Sequence, residues 1–168
     1  MCRIIFVINY RGVIVLGPSM NSTLSHGDYL YISLTAEPDY GDIVVIERPE
    51  NDIIKRVIAK GGDSLYMEGG VVYIMYSGSD EYVMLEESYV SAENNTPSEN
   101  NFEEVTVPEG DIYVLGDNRD NSSDSRYYGC FSVESVVGVV TDWSLKYKSF
   151  FTAVHILEVN RQLDKYNN

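Results

Sequence analysis

Residues 110–126 read Gly110-Asp111-Ile112-Tyr113-Val114-Leu115-Gly116-Asp117-Asn118-Arg119-Asp120-Asn121-Ser122-Ser123-Asp124-Ser125-Arg126. The apolar run 112–115 lies between two Gly-Asp pairs. A run this short, built from β-branched and aromatic side chains and bracketed by turn residues, predicts a strand rather than a helix. Glycine supplies positive φ and aspartate bonds the local backbone, so the pairs are turn punctuation and not a metal site. The same grammar extends outward in both directions. Residues 13–16 precede Gly17-Pro18, 29–32 follow Gly27-Asp28, and 43–46 follow Gly41-Asp42. Residues 53–59 lead into Gly61-Gly62-Asp63, and 71–76 follow Gly69-Gly70. The expected fold is therefore a single mainly β domain over 1–168. It carries a loop insertion at about 77–106, polar and acidic from 91 to 104, and a short C-terminal helical or irregular tail. In that tail, from Phe150, only Val154, Leu157 and Leu163 suggest a helical face.

Composition agrees with this reading. The chain has 168 residues, 44% hydrophobic and 23% charged, enough apolar content for one core and unlike a disordered segment. Its fourteen tyrosines, with many Val and Ile, favour β structure. Twelve basic against 26 acidic residues give a net charge of -14, which repels phosphate backbones and argues against nucleic-acid binding. Cys2 and Cys130 are too few for a disulfide framework and lack zinc spacing, although one bridge between them stays open. Near the N-terminus, the apolar residues 4–8 are interrupted at 9–12. The stretch falls short of the about 20 apolar residues of a membrane span, and no cleavage site of a signal peptide follows it.

Three segments carry candidate chemistry. The first is Gly17-Pro18-Ser19-Met20-Asn21-Ser22-Thr23-Leu24, directly after a predicted strand. A serine there can present its hydroxyl outward as a nucleophile, or serve as an ordinary turn former. It is not a G-x-S-x-G elbow, because Asn21 stands where the second glycine would be. The second segment is Ile53-Ile54-Lys55-Arg56-Val57-Ile58. Strand alternation puts Lys55 on one face with Ile53 and Val57, and Arg56 on the other with Ile54 and Ile58. Burial would lower the lysine pKa and allow a neutral amine to accept a proton. A solvated edge-strand lysine is the alternative. The third segment is the polar loop 116–126. It fails as a calcium loop, since counting from Asp120 places Ser125 where glycine and Phe131 where glutamate would be required. Its groups must then satisfy one another, for example through Asp124 with Arg126 or Arg56. Neither His26 nor His155 lies in a recognisable Ser–His–Asp motif.

Together these segments resemble the type I signal peptidase family, the bacterial leader peptidases with a Ser–Lys dyad. The nucleophile motif, roughly S-M-x-P-T-L, is matched by residues 19–24 except for Ser22 at the proline position. Gly41-Asp42-Ile43-Val44-Val45, Lys55-Arg56-Val57 and Gly62-Asp63 follow in order, and G-D-N-R-x-x-S-x-D-S-R is matched in full by residues 116–126. The third match is highly specific, and the resemblance runs from about 13 to 140. It implies a signal-peptidase-like β fold and a serine endopeptidase that removes signal peptides from exported preproteins, with small residues such as alanine at the first and third positions before the cut. It implies Ser19 as nucleophile, Lys55 as general base and Ser122 as the group that orients the lysine amine. Arg56, Asp124, Arg126, Gly116 and Asn118 would support the site, Met20 would lie beside the substrate, and the Ser19 N–H would help hold the oxyanion. No metal or other cofactor is implied. The partners would be signal peptides and a membrane surface or export machinery, with the catalytic domain on the outer side of the cytoplasmic membrane.

Three departures bear on this. Gly17 stands where some members have a serine that donates to the oxyanion. Ser22 replaces a proline and is expected to loosen the turn. The usual N-terminal anchor has no complete counterpart, which favours a trimmed chain over a soluble form. Self-cleaving repressors share the Ser–Lys chemistry, but no Ala-Gly or Cys-Gly bond precedes Ser19. A non-catalytic acidic β domain that binds peptides or partner proteins is the rival from another class.

Overall fold

A computed structural model describes residues 9–166, with side chains to 162. Eleven strands form in the described chain: β1 (Tyr10–Ile14), β2 (Tyr29–Ser33), β3 (Ile43–Ile46), β4 (Ile53–Lys60), β5 (Ser64–Glu68), β6 (Val71–Met75), β7 (Val83–Met84), β8 (Phe102–Thr106), β9 (Asp111–Leu115), β10 (Phe131–Ser132) and β11 (Val136–Val140). Helices α1 (Ser125–Tyr128), α2 (Asp142–Lys146) and α3 (Lys148–Tyr166) accompany them. Seven strands make one antiparallel sheet in the order β1-β2-β11-β3-β4-β9-β10, and four make a second in the order β7-β6-β5-β8. The mainly β expectation is met, and each Gly-Asp pair falls at a turn between elements.

The central position of β4 decides what the site can do. β4 pairs with β3 on one side and β9 on the other, so Val44 lies opposite Lys55 and Leu115 opposite Arg56. Lys55 is therefore not an edge-strand lysine, and five consecutive residues from Lys55 to Ala59 are buried. Val57 packs with Val44, Ile46 and Val114, while Ile58 and Ala59 pack with Leu65, Ile74 and Leu115 beneath the second sheet. Each fully buried aliphatic side chain contributes about 1.5–3 kcal/mol, so these clusters hold β4 in a fixed register.

Three local expectations are corrected. The strand expected at 13–16 lies earlier, at Tyr10–Ile14, because its full length pairs with β2. Leu16 is consequently left 72% exposed. The inserted loop contains β7 and β8, and Phe102 and Val105 pack against the core. The tail is a helix of 19 residues. Its docking face is not Val154 and Leu157, which are exposed, but Phe151, Thr152 and His155. Phe151 meets Tyr31 edge-on, His155 stacks on Tyr29, and the Thr152 hydroxyl accepts the Tyr29 N–H at 2.8 Å. The side chain of Leu163 lies outside the described residues, as does Cys2, so the possible Cys2–Cys130 bridge does too.

Candidate active site

The chain leaves β1 through Val15, whose N–H bonds Asp28 O, and then turns at Gly17, where φ is 86°. Glycine takes that conformation without a Cβ penalty. The next turn closes on itself: Asn21 N–H donates to Pro18 O at 2.9 Å, and Thr23 and Leu24 N–H donate to Met20 O at 3.0 and 2.8 Å. Met20, expected beside the substrate, is instead 0% exposed and packs with Leu24, Leu30 and Val15. It anchors the turn in the core and leaves the half-exposed Ser19 at the surface. Among the described residues the Ser19 N–H has no acceptor.

Lys55 reaches this serine from β4. Its Nζ lies 2.8 Å from Ser19 Oγ and donates to Ile54 O at 2.7 Å. The residue is 3% exposed. Its pKa falls from 10.5 to about 8, chiefly by desolvation, with Asp124 and Asp117 opposing the shift and Arg48 assisting it.

The polar loop after β9 wraps this pair. Asn118 donates from its N–H to Ser19 O at 3.0 Å and from Nδ2 to Pro18 O at 3.2 Å, tying the loop to the Ser19 turn. A Cβ on Gly116 would fall on the Ser122 hydroxyl and the Ser19 carbonyl, so the close approach requires glycine. Asp124 is 0% exposed and takes Arg126 Nε and Nη2 at 2.9 Å each, together with the Gly116 N–H at 2.9 Å. Burial alone would raise the Asp124 pKa, but Arg126 and the Gly116 N–H bring it below the ordinary value.

Arg126 is the partner of Asp124, and Arg56 braces the loop through Asp117. It projects to the other face of β4 and forks onto Asp117, Nε to Oδ1 at 2.9 Å and Nη2 to Oδ2 at 2.6 Å, with Nη1 on Gly41 O at 2.7 Å. Ser122 does not bond Lys55 here. Its Oγ is buried without a hydrogen-bond partner among the described residues, while the Lys55 amine contacts Ile54 O and Ser19 Oγ and keeps a third N–H. The Ser122 hydroxyl lies near enough to Asp124 to help lower its pKa, yet outside the geometry of a formed bond.

Ser19 and Lys55 open onto a groove of about 660 Å³, with Val13, Ile14, Leu16, Val45, Ile53 and Ile54 as apolar walls and Asn51 and Asp52 at one side. Neither histidine enters it as a base. His26 Nδ1 accepts the Gly17 N–H at 3.1 Å, and His155 is the residue stacked on Tyr29. Cys130 is half-buried, which raises its thiol pKa, and among the described residues no His, Cys, Asp and Glu are grouped to hold a metal ion. Sequence reasoning missed the acceptor role of Asp117 and the contribution of residues 87–100, whose Glu87 forks onto the buried Arg119. Only the unusual polarity of that segment marked it in the sequence.

Known proteins are similar to most of this chain. The family described as "Signal peptidase, peptidase S26" matches residues 1–143. The chain is 33% identical over 134 residues to a probable signal peptidase I-1 of Synechocystis, covering 71% of this chain and 63% of that protein. It is 32% identical over 151 residues to a signal peptidase I of Bacillus caldolyticus, covering 84% of this chain and 82% of that protein. The crystal structure of a signal peptidase I from Enterococcus faecalis V583 superposes with a TM-score of 0.51 at 33% identity, covering 63% of this chain and 98% of that one.

Proposed function

This chain belongs to the signal peptidase family, peptidase S26, and with it to the serine endopeptidases that remove signal peptides, and from that premise we propose that Ser19 is its nucleophile and Lys55 its general base. The observation that carries the assignment is the 2.8 Å approach of a buried, desolvated lysine amine to a serine hydroxyl at the floor of an apolar groove.

A lysine with a pKa near 10.4 would need about 4.6 kcal/mol to be neutral at pH 7. At a pKa of about 8 the cost falls to roughly 1.4 kcal/mol, and about one molecule in ten holds a neutral amine. That amine takes the Ser19 proton as Oγ attacks the scissile carbonyl carbon. The tetrahedral oxyanion is received by the free Ser19 N–H. Lys55 then protonates the leaving amine, which departs as the mature N-terminus and leaves the signal peptide as an ester on Ser19. Deprotonation of water by Lys55 and attack on that ester release the signal peptide and restore both groups. Ser122, with its unpaired hydroxyl, is the group to which the amine turns when it leaves Ser19 Oγ, and so orients it through the cycle.

The peptide substrate lies extended along the groove, where shallow apolar walls suit small side chains better than large ones. The family is membrane-associated, and no helix among the described residues is long and apolar enough to cross a membrane. The proposed place of action is the outer face of the cytoplasmic membrane, on preproteins delivered by the export machinery. Cleavage of a peptide with an Ala-x-Ala site by wild type, Ser19→Ala and Lys55→Ala tests the dyad. Both substitutions should abolish cleavage while leaving the protein folded, and retained cleavage by either would overturn the assignment.

A further inference from the structure

Residues 87–100 reach every segment that meets at the site. Glu87 forks onto Arg119, Nη1 to Oε2 at 3.0 Å and Nη2 to Oε1 at 2.5 Å. Tyr89 donates to Glu87 at 2.8 Å and lays its ring 3.9 Å from the Arg56 guanidinium carbon. Thr96 donates from its N–H and hydroxyl to Asp120 at 2.7 and 2.9 Å, and Asn100 donates to the same carboxylate while accepting from Arg126 Nη1 at 2.7 Å. The last contact reaches the nucleophile turn: Asn94 Nδ2 donates to Ser22 Oγ at 3.0 Å and to Asn21 O at 3.5 Å.

That contact falls on a strained residue. Ser22 has φ of 96°, and among the described residues it is the one non-glycine with positive φ. Such a conformation is unfavourable for a residue with a Cβ and persists only where the surroundings hold it. Ser22 is exposed: Met20 and Leu24 seat the two ends of the turn in the core, and among the described residues the Ser22 side chain itself bonds only Asn94. It lies inside the turn that begins at Pro18 and closes on Met20 O. Relaxation of Ser22 would turn that loop and shift Ser19 Oγ against Lys55 Nζ. A misplacement of about 1 Å at a reacting atom costs on the order of 100-fold in rate.

We propose that residues 87–100 are a positioning strap for the Ser19–Lys55 pair, in which Asn94 holds the Ser22 turn in its strained conformation and so keeps Ser19 Oγ in register with Lys55. The proposal rests on the reading of those two residues as nucleophile and base. Asn94 touches neither the reacting atoms nor the groove, and acts through Ser22.

The test is steady-state cleavage of the Ala-x-Ala peptide by wild type, Ser19→Ala, Asn94→Leu, Ser22→Ala and the Asn94→Leu/Ser22→Ala double variant, with thermal midpoints for each. Asn94→Leu keeps the approximate volume and removes every hydrogen-bonding group, whereas an aspartate would still accept from the Ser22 hydroxyl. Each single variant should lower kcat about fivefold to twentyfold with KM within about twofold, and the double should be no worse than the weaker single. Because glycine accepts positive φ without a partner, Ser22→Gly in the Asn94→Leu background should recover most of the lost kcat. Full activity of the single variants, additive losses, a change confined to KM, or a loss that tracks a falling thermal midpoint would each overturn the strap. An inert Ser19→Ala beside a fully active Asn94→Leu removes the strap alone, whereas an active Ser19→Ala removes the nucleophile assignment and the strap with it.

Discussion

Lys55→Met removes the buried amine and keeps the side-chain volume, and it should make the protein inactive and, at neutral pH, more stable. Folding lowers the Lys55 pKa from 10.5 to about 8 through desolvation. Below pH 8 the unfolded and folded chains both hold the proton, and the folded chain bears the full penalty of about 3 kcal/mol. Between pH 8 and 10.5 the unfolded chain binds more protons than the folded one, so wild-type stability rises with pH across that window. At pH 10 about 1 kcal/mol of penalty remains. Against the penalty stand the two hydrogen bonds of the amine, to Ser19 Oγ and Ile54 O, worth about 1 kcal/mol each. The variant should then exceed wild type by about 1–2 kcal/mol at pH 7, or about 3–6 °C in Tm, and fall below it by about 1 kcal/mol at pH 10. Urea unfolding at the two pH values reads the reversal directly. A Lys55→Met variant that is less stable than wild type at pH 7, by an amount that does not change with pH, would refute the claim that folding desolvates this amine.

Wild-type kcat/KM should rise about tenfold per pH unit and level near pH 8, with the acid limb set by Lys55. Asp124→Asn removes a carboxylate that favours the charged amine and should move that limb down by about half a unit to one unit, whereas Arg126→Gln leaves the carboxylate uncompensated and should move it up; shifts in the same direction would contradict the electrostatic reading. Gly116→Ala pushes a methyl group onto the Ser122 hydroxyl and the Ser19 carbonyl, and should cost about 1–3 kcal/mol in denaturant unfolding and more than tenfold in kcat. Leu16→Asp changes an exposed wall of the groove and should raise KM about tenfold for an Ala-x-Ala peptide with Tm unmoved; an unchanged KM would place the peptide elsewhere.

What the sequence made legible was local. Turn pairs flanking short Val, Ile and Tyr runs located the strands, because each signal is complete within about ten residues. What it hid was the pairing of distant strands. Nothing in residues 53–58 tells whether their strand is central or at an edge, and the insertion of β4 between β3 and β9 is what buries Lys55. The partner of Arg56 was hidden for the same reason: Asp117 and Asp124 both belong to the loop after β9, and only the crossing of β4 and β9 decides for Asp117. Met20 was misplaced because a motif states which residues occur together, while the direction of a side chain depends on how the turn sits on the core beneath it. The strap was invisible because Asn94 and Ser22, or Thr96 and Asp120, are more than twenty positions apart.

The placement of the two buried aspartates gives the ion pairs a purpose that stability alone does not. Buried salt bridges often contribute little net stability, since desolvation offsets the attraction. Here two carboxylates with no exposure lie close enough to Lys55 to favour its charged form, which would disable it as a base at neutral pH. Each is instead covered by a guanidinium fork, Asp117 by Arg56 and Asp124 by Arg126, with Arg48 adding positive charge near the amine. An arginine suits this better than a lysine, because its charge persists at every working pH and its planar fork engages both carboxylate oxygens. Neutralised in this way, the aspartates can hold the loop through the Gly116 N–H and the Arg56 strand while desolvation remains the largest influence on Lys55. The arginine that follows Lys55 in β4 is thus part of the lysine's chemistry, as the apolar residues around it are: strand alternation sends its side chain to the opposite face, where it neutralises a carboxylate that favours the charged form of the proposed base.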